Sequence, residues 1–281
     1  MVTSIFVKDI PFIVFLLGIL LIIAVDLFLV NLYAYCMNNI IRKPFRYRND
    51  GVVYWLIGIN VLVYVLMQFL GRNIITLTVN MSYIDLIMNS RIGISRLFTD
   101  GENIKMALML QEGVSMMPFT VLHGWVWTFL TYMFVHYNFS HILFNMLGLW
   151  IFGMHVERQL GSLEFLLYYL LTGALAGIFS FAIYFFTGQY IVALMGASGA
   201  LFAVQLAFAV CFPTSIIHLW GIIPMRAPVM VLGFTALELF FTLTGGRGNV
   251  AHLTHLAGFG FGWVYFHVRF GISPLRRLTG R

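Results

Sequence analysis

The sequence predicts an all-α, polytopic membrane protein, and three observations lead there. Of its 281 residues, 61% are apolar and only 9% are charged, against about half and about a quarter in a soluble domain. The mean hydropathy is +0.93. The apolar residues are also gathered into runs, around 11–34, 52–70, 139–156, 163–186, 191–211, 228–244 and 251–269. A helix rises about 1.5 Å per residue, so about 20 residues cover a hydrocarbon core of about 30 Å. Each run is predicted to be a helix, because lipid offers no partner to an unpaired backbone amide.

The run 11–34 is too long for the core of a cleavable signal, and no small-residue cleavage site follows it. The loop behind it carries Arg42, Lys43, Arg46 and Arg48, the densest basic cluster in the chain. The positive-inside rule puts that loop in the cytoplasm. The N-terminus is then expected outside and the C-terminus inside, together with Arg269, Arg276, Arg277 and Arg281. With Arg158 and Arg226 added, the inner segments hold ten basic residues against three acidic ones, Asp50, Glu157 and Glu164. The outer segment 71–138 balances, with four of each sign. Membrane topology, not a nucleic-acid partner, therefore explains the formal charge of +6.

Segment 71–138 is the one large region between runs. Trp125, Trp127, Phe129, Tyr132 and Phe134 crowd its end, as rings do at the headgroup layer. It reads as an interfacial loop with short helices, and 80–112 reads as an insertion. Cys36 and Cys211 have neither the number nor the spacing of a disulfide framework or a zinc site.

Polar side chains inside apolar runs are expensive, so each needs a reason. Three groups stand at the outer ends of their runs. Gly196-Ala197-Ser198-Gly199 opens 191–211. A helix-breaking glycine there would leave Ser198 at a helix N-terminus, where free N–H groups can stabilise an oxyanion. His255, Gly258 and Gly262 share a face of the last run, and the two glycines make a close-packing seam. Gly199, Ala203 and Ala207 form a matching seam on the serine run. The two seams would bring Ser198 and His255 within hydrogen-bond reach, as nucleophile activation requires. His252 lies three residues earlier and nearer the surface, and is expected to be structural or solvated. His141 and Asn145, four residues apart, put imidazole and amide on one helix face as hydrogen-bond donors. No HExxH occurs and no carboxylate is expected at this depth, so no metal is predicted. Asp26 and Glu238 have no evident partner base at matching depth. They are expected to be protonated or hydrogen-bonded across helices, not to complete a triad.

Phe134-Val135-His136, His141 to Met146, the loop Glu157-Arg158-Gln159-Leu160-Gly161-Ser162, Gly196 to Gly199 and His255-Leu256-Ala257-Gly258 together resemble the rhomboid protease family. The resemblance covers about 52–270. It implies a six-helix rhomboid-like core that hydrolyses peptide bonds of transmembrane protein substrates with a Ser–His dyad. Ser198 would be the nucleophile and His255 the base, with His141 and Asn145 at the oxyanion. Residues 1–50 would add an N-terminal transmembrane helix and a basic loop, 51–270 the core, and 271–281 a basic tail. The resemblance also implies a lateral gate at 228–244, and a bacterial-type inner membrane with the site opening to the outer face. Two positions depart from the family pattern: Thr128 follows Trp127 where an arginine is common, and Phe202 replaces a tyrosine. A phenyl ring can still stack on the imidazole. A helix-binding pseudoprotease and a transporter are the rival classes. The intact polar set opposes the first and its outward position opposes the second.

Overall fold

The computed structural model describes residues 51–69, 74–78, 105–109, 114–122, 124–190, 192–219, 222–244 and 249–279. The run 11–34 with Asp26, the basic loop and Cys36 lie outside the described residues, as does most of 80–112. Helix α1 spans Val52–Phe69. The hairpin β1 (Ile74–Thr78) and β2 (Lys105–Met109) is antiparallel, with Ile74 opposite Met109. Short helices α2 (Pro118–Leu122) and α3 (Thr128–Thr131) follow, and a 3-10 turn at Tyr132–Phe134 continues α3. The interfacial segment thus holds a β-hairpin beside the predicted short helices.

Helix α4 runs Phe139–Leu160 with a π-turn at Leu149–Gly153, α5 is Ser162–Phe186 and α6 is Ser198–Cys211. A second hairpin pairs β3 (Ile216–Leu219) with β4 (Ile223–Arg226). Helix α7 is Ala227–Thr244, and α8 is Asn249–Tyr265 with a π-turn through Phe270. Helix α9, Pro274–Thr279, completes the described chain. Among the described residues, α4, α5 and α7 are long and apolar enough to cross a membrane.

The run 191–211 differs from its expected form. Residues 192–197 are not helical and α6 begins only at Ser198, because Gly196 takes φ +112°, a conformation that ends helical geometry. Helix α6 sits at the centre. Eleven of its residues, from Gly199 to Val210, are buried, and it packs against α4, α5, α7 and α8. Small residues allow this. A Cβ on Gly258 of α8 would lie 1.9 Å from the Gly199 carbonyl oxygen, and one on Gly262 would lie 3.1 Å from Ala203 Cβ. The two seams therefore meet backbone to backbone. On the other side, Gly173 and Gly177 of α5 leave room for Met133 and Tyr132, and Tyr132 Oη donates to the Gly173 carbonyl at 2.7 Å.

Two buried carboxylates tie helix ends together. Glu157, near the end of α4, accepts from the backbone N–H groups of Val52 (2.8 Å) and Val53 (3.0 Å) and from the Ser162 hydroxyl. It satisfies first-turn donors of α1, which have no partner within their own helix, and grips the first residue of α5. Gly161, at φ +91°, makes the reversal between α4 and α5. Glu164 is fully buried and receives Arg269 through Nε (2.8 Å) and Nη2 (3.0 Å), together with the Tyr265 hydroxyl. The bidentate pairing neutralises a carboxylate that would otherwise be costly to bury.

Candidate active site

The site is built where the non-helical strand before α6 meets α4 and α8. Its approach to Ser198 is fixed by backbone bonds: Leu194 pairs with Met116, and the Gly196 N–H donates to the Tyr132 carbonyl at 2.9 Å. A side chain at Gly196 is excluded twice, by its positive φ and by the His141 ring, whose Nε2 would lie 2.5 Å from a Cβ. The Ala197 N–H points at His136 Nε2, 3.4 Å away. His136 is 2% exposed and bonds the Phe134 backbone as well. Burial, then the nearby His141, lowers its pKa from 6.5 to about 4. It is therefore a neutral imidazole able to accept from Ala197. His136 stands in the stretch Phe134-Val135-His136, but its reach across 61 residues to the serine loop has no sequence signal.

Ser198 is the first residue of α6, and Ala197 before it makes no side-chain cap. The N–H groups of that first turn stay free of side-chain acceptors beside the hydroxyl. His255 enters from α8 with Nε2 2.7 Å from Ser198 Oγ. The Phe202 ring, one turn along α6, stacks on the imidazole at 4.6 Å and 5°. A flat hydrocarbon face on one side opposes turning of the ring about Cβ–Cγ.

The cross-helix hydrogen bond expected of Glu238 is present, but the expected want of a partner base is corrected. Its carboxylate, on α7, does have partner bases at its own depth. Oε2 lies 2.6 Å from His252 Nδ1, and Oε1 lies 3.0 Å from His255 Nδ1. His252 is accordingly tied to Glu238 and stacked on Phe241, not merely solvated. No periodicity within one helix reports its height against another, so this pairing leaves no mark in the sequence. The premise that no carboxylate accompanies the histidines falls too. Glu238, His252 and His255 each present one ligand atom, all within 4.8 Å of one another. A shared zinc at about 2.0–2.2 Å from each would hold its ligand atoms about 3.3 Å apart. The 2.6 Å contact of Oε2 with His252 Nδ1 is a hydrogen bond, while Oε1 stands 3.0 Å from His255 Nδ1.

His141 and Asn145 lie on α4. Asn138 caps this helix by accepting from the His141 N–H at 2.8 Å. The His141 ring packs edge-on against His136 at 5.0 Å and faces Gly196. Asn145, 5% exposed, donates one Nδ2 hydrogen to the His141 carbonyl at 2.8 Å, which leaves its second amide hydrogen to give. Cys211 is a free thiol at the far end of α6.

Comparison with known proteins agrees with the sequence resemblance. The model of the Rhomboid domain matches residues 123–271. RHOMBOID-like protein 12, mitochondrial, of Arabidopsis thaliana is 31% identical over 153 residues, 48% of this chain and 44% of that protein. The putative rhomboid protease YdcA of Bacillus subtilis is 29% identical over 140 residues, 49% of this chain and 64% of that one. Rhomboid protease GlpG of Haemophilus influenzae is 31% identical over 134 residues, 47% of this chain and 65% of that one. The chain thus spans less than two thirds of the length of each of these relatives.

Proposed function

The chain belongs to the rhomboid family and is an integral membrane protein, and on that premise we propose that it is a serine endopeptidase cutting peptide bonds in or near transmembrane segments of other membrane proteins. One observation carries the reading: His255 Nε2 lies 2.7 Å from Ser198 Oγ, at the uncapped start of a helix. His255 takes the Ser198 proton as the oxygen attacks the scissile carbonyl, so the Oγ–C bond forms as the proton moves to Nε2. The tetrahedral oxyanion is held by first-turn N–H groups of α6 and by His141 and Asn145. His255 then protonates the leaving amine, the C–N bond breaks and an acyl-enzyme remains. Water hydrolyses it with the roles reversed. No cofactor takes part. A helical peptide bond is shielded by its own backbone, so the substrate must unwind locally at the site. The same reading puts the protein in a bacterial-type inner membrane, with Ser198 open to the outer face.

A fluorophosphonate probe tests this. Wild-type protein is expected to be labelled at Ser198, with no labelling in Ser198→Ala and sharply reduced labelling in His255→Ala. A single-span protein tagged at both ends, reconstituted with the enzyme in liposomes, is expected to be cut by the wild type alone of these three. His252→Ala is expected to retain a substantial fraction of activity. Loss of cleavage in folded His252→Ala with retention in His255→Ala would put the base on the wrong turn.

A further inference from the structure

Glu238 is the sole charged residue of α7, and both of its oxygens face α8. Oε2 is bonded to His252 at 2.6 Å; Oε1 stands 3.0 Å from His255 Nδ1, off the line of that N–H bond. Among the described residues, Nδ1 of His255 is buried and has no other acceptor. Its opposite nitrogen meets Ser198. An imidazole that accepts a proton at Nε2 must carry its hydrogen on Nδ1, and the group facing Nδ1 decides whether it does.

We propose that Glu238 is a positioning residue for the reaction: it holds His255 in the tautomer with hydrogen on Nδ1 and faces the imidazolium with a counter-charge, while His252 fixes the carboxylate. The proposal rests on the reading of Ser198 as nucleophile and His255 as base. During attack the Ser198 proton moves to Nε2, and Nδ1–H stays on the ring; Glu238 remains ionised throughout. The three groups come from α6, α8 and α7. Helix α7 is the least enclosed of the three long apolar helices, with 28% of its apolar window buried against 39% in α4 and in α5. The base is therefore oriented only when α7 is seated against α8.

The test uses the full chain in lipid nanodiscs, with histidine labelled by nitrogen-15 and the His255 signals assigned by their absence in His255→Ala. In the wild type, Nδ1 of His255 is expected protonated and Nε2 bare. Glu238→Gln is expected to mix the two tautomers. In liposomes it should lower kcat on the doubly tagged single-span substrate at least about tenfold, with little change in KM, and Glu238→Asp should recover part of the loss. The expected fall is smaller than the about 10⁴-fold loss on replacing the buried acid of the chymotrypsin triad by its amide, because this carboxylate is shared and partly exposed. A resting wild type with the proton on Nε2 overturns the proposal even if Glu238→Gln does not fold. So does a folded Glu238→Gln with wild-type kcat. In both cases a wild type that cleaves and is labelled at Ser198 leaves the protease reading standing. A wild type that is neither labelled nor active overturns both.

Discussion

His136 shows how one side chain can make the serine loop sensitive to acid. Burial lowers its pKa from 6.5 to about 4, so the folded protein holds it neutral where the unfolded chain would bind a proton. A group depressed in this way contributes stability above about pH 6.5 that is lost as pH falls towards 4. The thermal unfolding midpoint in detergent is expected to drop from pH 7 to pH 5, and the drop should be smaller in His136→Gln. Equal slopes in the two proteins would remove His136 as the cause. Asn145 is a second test at this scale. Asn145→Ala is expected to lower kcat by about 10²–10³-fold, the usual effect of losing one oxyanion donor, at an unfolding midpoint close to that of the wild type. Full activity would take it out of the mechanism. Ser198, His255, His141 and Asn145 were legible because polar groups in apolar runs stand out, and because their spacing fixes a face within a single helix. Glu238 and His136 were not. Their partners lie on other elements, and no periodicity reports the relative height of two helices.

Within and between elements, the glycine seam sets the distance on which the site depends. Gly258→Ala would drive its Cβ into the Gly199 carbonyl oxygen, a backbone atom that cannot turn aside. Helices α6 and α8 must then part, and Ser198 and His255 with them. Loss of cleavage and a lowered unfolding midpoint are expected. Gly233→Ala on α7 is the control: nothing lies within 4 Å of its added Cβ, and removing a mid-helix glycine gains about 0.5–1 kcal/mol. Similar destabilisation by both substitutions would show that close approach is not the reason for Gly258. Among the described residues the apolar runs located the helices and most of their ends, but not the start of α6. Residues 192–197 are as apolar as a helix start yet run irregularly, and Gly196 was the one local sign of it. The pairing of Ile74–Thr78 with Lys105–Met109 had no sign at all, since its partners are far apart in sequence and no short turn joins them.

For the whole molecule, the ten basic against three acidic residues of the inner segments predict which way it sits in the bilayer. Cys36 and Cys211 should resist an impermeant maleimide added outside intact cells, while cysteines introduced within 95–112 should react. The opposite pattern would invert the orientation and put Ser198 on the inner side. This expectation rests on charge counts along the chain and needs no fold. The mutual placement of helices was legible only through the ordered set of short motifs, each weak alone.

The carboxylate of Glu157 also has a bearing on how the chain is made. Its bond to Val52 spans 105 residues, and a ribosome adds about 5–20 residues per second. Helix α1 is therefore synthesised about 5–20 s before the side chain that completes its first turn. Until then, those amide hydrogens depend on other partners such as water. The α4–α5 reversal then brings Glu157 to the start of α1, so one glutamate joins an early segment to a late one.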